Sequence, residues 1–272
     1  MSDILSMKDK VALVTGAGQN VGRQIALHMA GHGADGVVVN DYFLDRAQAV
    51  ADEINAAGGS AIALQADVSS HDSVKAMFAK AFEKYGRVDA LVNNAGNAGA
   101  TPDENARKPF YETGPEVWKT WIGVNFDGVI NCTAAALPGM IERKGGKIVT
   151  IISDASRFGD AGMEIYAGAK AGAAGFMRSV ARGMGRYNVN ANCVVIGAMG
   201  TPMIEARMAQ DPERSKRILE KYIIRRLGRP SDVANMVLYL SSSASDYITG
   251  QTYPVNGGGR LNPQRGGDGG NA

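Results

Sequence analysis

Residues 10–41 read KVALVTGAGQNVGRQIALHMAGHGADGVVVND. The apolar run KVALVT (10–15) ends in a glycine-rich loop, and the loop opens an amphipathic stretch over 21–32. A second apolar run, GVVVND (36–41), follows. Strand, loop, helix and strand in that order make a βαβ unit. Glycines in the loop let a backbone approach a pyrophosphate, which the helix start attracts through its unpaired N–H groups and dipole. Alone, this is a weak signal, because a tight turn without a ligand uses the same residues. Asp41, at the end of the second strand, adds to it. A carboxylate there can accept hydrogen bonds from both ribose hydroxyls of an adenosine, and it repels a 2′-phosphate. Loop and acid within one unit point to dinucleotide binding.

The rhythm continues along the chain. Residues 61–65, 90–94, 147–152, 190–196 and 252–255 read as further buried strands, giving seven. Helical patterns cover 44–57, 71–85, 116–143, 163–186 and 231–241 between them. Alternation of this kind predicts an α/β fold, a doubly wound, mainly parallel seven-stranded sheet flanked by helices. No linker interrupts it, so residues 1–258 are expected to form one domain. A long polar loop spans 97–115, a short helical excursion at 198–222 is expected as a substrate lid, and residues 259–272 are too glycine-rich to hold regular structure.

Composition excludes several classes. Of 272 residues, 45% are hydrophobic and 21% charged, and the net charge is +2 with both signs scattered. That leaves no basic footprint for nucleic acid. No apolar run is long enough to cross a bilayer, and no signal peptide opens the chain, so a cytoplasmic location is expected. Cys132 and Cys193 lie in apolar surroundings and read as buried free thiols. With His28, His32 and His71 they form no metal-ligand cluster, and no metal is expected.

The stretch SDASRFGDAGMEIYAGAK (153–170) holds the chemistry. Tyr166 and Lys170, four apart, project from one helix face. An isolated phenol ionises near pH ~10, and a neighbouring ammonium favours the phenolate. Ser153 ends the fifth strand, on the carboxyl edge where doubly wound sheets bind ligands, so its hydroxyl can hold a substrate oxygen against Tyr166. Asp154 and Ser156 are assigned to loop geometry.

In this order the motifs resemble the short-chain dehydrogenase/reductase family over residues 8–258. TGAGQNVG matches its nucleotide loop through Thr15, Gly16 and Gly22, with Gln19, Asn20 and Val21 also expected at the cofactor. ADV brings Asp67 and Val68 to the adenine, and NNAG brings Asn94, Ala95 and Gly96 to the cofactor, Asn93 supporting the sheet. VNFDG supplies Asn125, which the resemblance makes a helix-bending residue holding a water that links Lys170 to solvent. Catalytic residues are then Asn125, Ser153, Tyr166 and Lys170, with Lys170 also on the nicotinamide ribose. Two departures stand out. Asn20 replaces the family's middle glycine, and asparagine tolerates left-handed backbone. Ile196 replaces a proline before Gly197, while Thr201 keeps its place near the nicotinamide carboxamide.

Asp41, with uncharged Tyr42 and Gln19 where NADP-preferring members often carry a cation, predicts NAD as cofactor, Arg23 being a solvated helix position. The implied activity is interconversion of a secondary alcohol and its ketone. Ser153 and Tyr166 with Met199 and Met203, beside Ile204 and Met208, predict an apolar pocket to which Phe110, Tyr111 and Trp118 contribute. A bulky aromatic or cyclic alcohol fits it. A 3-oxoacyl-thioester reductase with Arg225, Arg226 and Arg229 as a carrier patch is an alternative, and a non-catalytic nucleotide sensor another. The family resemblance implies a homotetramer built on the two long helices, about 116–143 and 163–186.

Overall fold

The computed structural model describes residues 3–96, 104–106 and 108–259. The expected tail beyond Gly259 and residues 97–103 of the long loop lie outside this range. Seven strands are formed: β1 (Val11–Val14), β2 (Gly36–Asp41), β3 (Ala61–Gln65), β4 (Ala90–Asn93), β5 (Gly146–Ser153), β6 (Val189–Ile196) and β7 (Thr252–Val255). They join in the order β3-β2-β1-β4-β5-β6-β7, and every pairing is parallel.

Ten helices connect or flank them among the described residues: α1 (Asn20–Gly31), α2 (Leu44–Ala56), α3 (His71–Tyr85), α4 (Pro115–Ile122), α5 (Gly128–Glu142), α6 (Ala155–Phe158), α7 (Glu164–Met184), α8 (Pro202–Gln210), α9 (Pro212–Leu219) and α10 (Pro230–Ser241). None is long and apolar enough to cross a membrane.

Strand side chains alternate between two cores. Ala12 and Val14 of β1 pack with Ile25 and Met29 of α1, Ile54 of α2 and Leu238 of α10. Leu13, between them in sequence, belongs to the opposite layer with Phe78 of α3, Met140 of α5 and Met177 of α7. A fully buried strand therefore needs apolar residues at consecutive positions, which is why these runs read as continuous rather than alternating. The arrangement aligns all seven carboxyl ends on one edge. The order reverses between β1 and β4, and a crevice opens at that switch point.

The long helix is interrupted at the residue expected to bend it. The stretch read as 116–143 divides into α4, a π-helical turn (Gly123–Asp127) that contains Asn125, and α5. The Asn125 side-chain amide donates to the Trp121 carbonyl at 2.8 Å, taking up an acceptor of the preceding turn. Insertions of this kind are how helices bend around a functional position. The lid stretch is two short helices, α8 and α9. The single turn α6, immediately after Ser153, has no periodicity in the sequence to announce it.

Candidate active site

The crevice is a groove of about 590 Å³. Of the sixteen residues expected at the cofactor, fourteen line it, from Asp41 and Asp67 at one end to Tyr166 and Lys170 at the other. Its floor depends on the loop after β1. Gly16 has φ +60 and Asn20 φ +48, so asparagine does adopt the left-handed backbone at the family's glycine position. A Cβ on Gly22 would collide with the Gly16 carbonyl and the Asn94 amide. The Asn94 amide nitrogen donates to the Thr15 and Gly16 carbonyls at 2.9 and 3.0 Å, and the Thr15 hydroxyl accepts the N–H groups of Asn94 and Ala95. Asn93 donates to the hydroxyls of Thr133 and Thr150, bracing the sheet's centre.

A dinucleotide fits these residues. Gln19 precedes α1 without capping it by a side-chain hydrogen bond, so the first N–H groups of the helix stay open to an anion. At the far end the buried Asp41 carboxylate accepts the N–H groups of Gly18 at 3.0 Å and Phe43 at 3.1 Å, which fixes its orientation at the groove wall. Arg23 is held by Glu53 at 2.6 Å, away from any phosphate role. Sequence reasoning missed Arg46. It lines the groove beside Asp41, its guanidinium 4.3 Å from the Phe43 ring centroid, because the first turn of α2 folds back over Gly18.

Ser153 ends β5, and Tyr166 and Lys170 stand one turn apart on α7, which packs along β5 and β6. Burial raises the Tyr166 phenol above its ordinary pKa, and the Ser153 hydroxyl near it works in the opposite direction. Lys170 is buried and donates to the Ile151 carbonyl at 2.9 Å. Its own pKa is lowered to about 8, chiefly by burial. Desolvation is thus the larger influence on the phenol, which lies above its ordinary value, whereas the spacing predicts a neighbouring ammonium that brings it down. Asn125 is fully buried in the π turn, its Oδ1 3.0 Å from where a Cβ on Gly96 would stand.

Other expected residues sit apart from the groove. Met199 is partly buried, packs against the core and forms an isolated bridge to Gly228, with Gly200 and Gly228 hydrogen-bonded beside it. Gly197 and Thr201 do not line the groove. Gly197 packs among Asn256, Tyr222 and Asp154, and Thr201 caps α8 by accepting the Ile204 N–H. The side chain of Met203 lies outside the described residues. Phe110 and Trp118 do gather at Tyr166, in a crevice that also takes in Trp121 and Met163, neither foreseen. Trp121 meets the Tyr166 ring edge to face. Ser156 donates to the Ser153 carbonyl at 2.6 Å, a loop role as expected, whereas Asp154 reaches far across the chain to Asn256. Cys132 and Cys193 are buried free thiols, both pushed up to about 12 by burial. Among the described residues no cluster could hold a metal ion.

Known proteins share this arrangement. A family profile described as enoyl-(acyl carrier protein) reductase matches residues 16–259. The 7alpha-hydroxysteroid dehydrogenase of Escherichia coli (strain K12) is 36% identical over 261 residues, 95% of this chain and 97% of that one. A 3-oxoacyl-(acyl-carrier-protein) reductase of Staphylococcus epidermidis is 35% identical over 92% of this chain and 98% of its own length. A solved 7alpha-hydroxysteroid dehydrogenase complexed with NADH and 7-oxo glycochenodeoxycholic acid superposes with a TM-score of 0.86 at 35% identity, covering 95% and 98% of the two chains. With its nucleotide loop, its Ser-Tyr-Lys set and its strand order all in place, the chain belongs to the short-chain dehydrogenase/reductase family.

Proposed function

We propose that this chain interconverts a secondary alcohol and its ketone with NAD as the hydride acceptor. One observation carries the reading: Tyr166 and Lys170 line one end of the groove, with Ser153 acting on the Tyr166 phenol from the end of β5, and Asp41 walls the other end. In the oxidative direction Tyr166, as phenolate, takes the hydroxyl proton of the substrate. Ser153 holds the substrate oxygen in line with the phenol. A bound nicotinamide would supply the redox chemistry, as acceptor of the hydride that leaves the substrate's carbinol carbon. Lys170 holds the ribose hydroxyls and lends positive charge to the phenolate, and Asn125 holds a water behind it.

Asp41 supports NAD, since its carboxylate repels a 2′-phosphate. The aromatic crevice of Phe110, Trp118 and Trp121 beside Tyr166 favours a bulky cyclic or aromatic substrate. A homotetramer fits the outward small residues of α7, Gly168 and Ala171, which permit close helix approach.

The thioester-reductase reading draws on the staphylococcal relative, but its basic patch is depleted. Arg226 is bound to both carboxylate oxygens of Asp232 at 2.6 and 3.0 Å, and Arg229 starts α10. A screen of secondary alcohols and acyl thioesters, followed by NADH absorbance with NAD and NADP in parallel, decides between them. Tyr166→Phe should abolish turnover while retaining NADH binding; unaltered behaviour in every assay would mark a nucleotide sensor instead.

A further inference from the structure

We propose that Asp154 is a positioning residue that ties the strand carrying Ser153 to both stems of the lid, and so governs how the lid seats on the substrate. The proposal rests on the hydride-transfer reading of the site. Asp154 follows Ser153 directly and is only 8% exposed. A buried carboxylate is costly unless donors replace its water. Here the Asn256 amide nitrogen, 102 residues further along, lies 2.9 Å from each of its oxygens. The Asp154 N–H donates to the Ile196 carbonyl at 3.0 Å, so the same residue pins the end of β6, where the lid begins.

Asn256 opens the turn after β7 and accepts the Gly258 N–H at 3.1 Å. Gly257 and Gly258 have φ +62 and +71, a region glycine enters at little cost. Side chains on this turn would strike the lid's returning stem: a Cβ on Gly258 would lie 2.8 Å from Ile223, and one on Gly259 2.9 Å from the Tyr222 ring. The turn is thus a bare backbone bed for Tyr222–Ile224, joined to it by the Ile224 N–H on the Gly257 carbonyl at 2.9 Å. The Tyr222 hydroxyl accepts the Ala198 N–H at 3.2 Å, closing the two stems on each other. Around Gly197, Asp154 Oδ2, Asn256 Cβ and Tyr222 Cε1 all stand 3.3 to 3.4 Å from a Cβ's position, a single node where a further side chain would be tightly packed. Proton transfer needs nothing from Asp154, whereas the node needs a two-armed acceptor.

The test compares Asp154→Ala, Asn256→Ala and the exchanged pair Asp154→Asn/Asn256→Asp in the full chain. Each is measured for NADH binding by fluorescence, for tryptic cleavage after Lys216, Arg217 and Lys221, and for KM and kcat on the best substrate of the absorbance screen. The single variants should be cleaved about tenfold faster and show KM raised about tenfold, with NADH affinity and the pH profile of kcat within about twofold of the parent. The exchanged pair, which restores an amide donating to a carboxylate, should recover both. Asp154→Asn alone serves if Asp154→Ala does not fold. Parental cleavage rates in the single variants would overturn the proposal, as would an equal loss of NADH affinity and KM or a failure of the exchanged pair to recover. Changed cleavage with no turnover of any compound, even by the parent, would instead leave the brace standing and remove the catalytic reading.

Discussion

The Lys170 ammonium lies 5.9 Å from the centroid of the Tyr166 ring, and it donates to the Ile151 carbonyl rather than to the phenol. The two groups that the chemistry couples therefore act through space and not through a shared hydrogen bond. Burial opposes the charged form of each, pushing the phenol up and the ammonium down.

The lysine has a stability signature. Its pKa is about 8 folded against 10.5 unfolded, so between those values the unfolded chain binds more protons and stability rises with pH. Below about pH 8 the cost of the buried ammonium is present in full. Lys170→Met removes that cost, so the melting temperature of the parent relative to the variant should climb from pH 7 to pH 10. A gap independent of pH across that window would contradict the burial argument.

The Ser153 hydroxyl favours the phenolate of Tyr166, against the effect of burial. Removing its hydroxyl leaves burial unopposed and moves the phenol further up. Ser153→Ala should thus lower kcat by about 10²-fold or more and shift the ascending limb of kcat/KM for alcohol oxidation, where the phenolate forms, to higher pH. Steady-state rates from pH 6 to 10.5 measure both effects. A reduced rate with an unmoved limb would confine Ser153 to substrate positioning.

Trp121 stands edge to face on Tyr166, with centroids 5.7 Å apart and planes at 70°. Pairs of this kind contribute about 0.5–1.5 kcal/mol beyond their buried area. Trp121→Phe keeps an aromatic edge and should hold kcat within about threefold, while Trp121→Ala frees the phenol ring and should cost about tenfold in kcat. NADH binding should be equal in both. Equal kcat in the two variants would show that the ring is oriented by other neighbours.

Cofactor choice turns on Asp41 and Arg46, which share the groove wall. Asp41→Asn keeps an oxygen for the Gly18 or Phe43 N–H but removes the repulsion toward a 2′-phosphate. Arg46 is then able to pair with that phosphate. The ratio of kcat/KM for NADP over NAD should rise about tenfold or more, and adding Arg46→Ala should reverse the gain. If the parent already prefers NADP, the arginine outweighs the carboxylate and the NAD assignment falls.

Much of this was legible from KVALVTGAGQNVGRQIALHMAGHGADGVVVND and from the spacing of Ser153, Tyr166 and Lys170, because strand runs, glycine loops and helix faces are local properties. What escaped the reading depends on chain segments meeting in space. Arg46 is five residues past Asp41, and only the fold of α2 over Gly18 turns it into the groove. The bend at Asn125 is legible only through the family resemblance, because the capture of the Trp121 carbonyl that accompanies it leaves no period in the sequence. The bridge between Met199 and Gly228 joins two ends of the lid stretch that are 29 residues apart. Asp154 finds Asn256 across 102 residues.

Glycines provide a last check on the groove floor. Gly22 opens α1 where a Cβ would meet the Gly16 carbonyl and the Asn94 amide, backbone and a short, doubly bonded side chain that have no freedom to yield. Gly183, on the exposed side of α7, has nothing within 4 Å of the same position. Gly22→Ala should destabilise by about 1–3 kcal/mol, as overpacking does, and weaken NADH binding because the loop must move. Gly183→Ala should be neutral or add up to about 1 kcal/mol through helix propensity, with NADH affinity unchanged. Thermal unfolding and NADH titration of both variants give the comparison. Unimpaired NADH binding by Gly22→Ala would mean that this loop does not form the cofactor's bed.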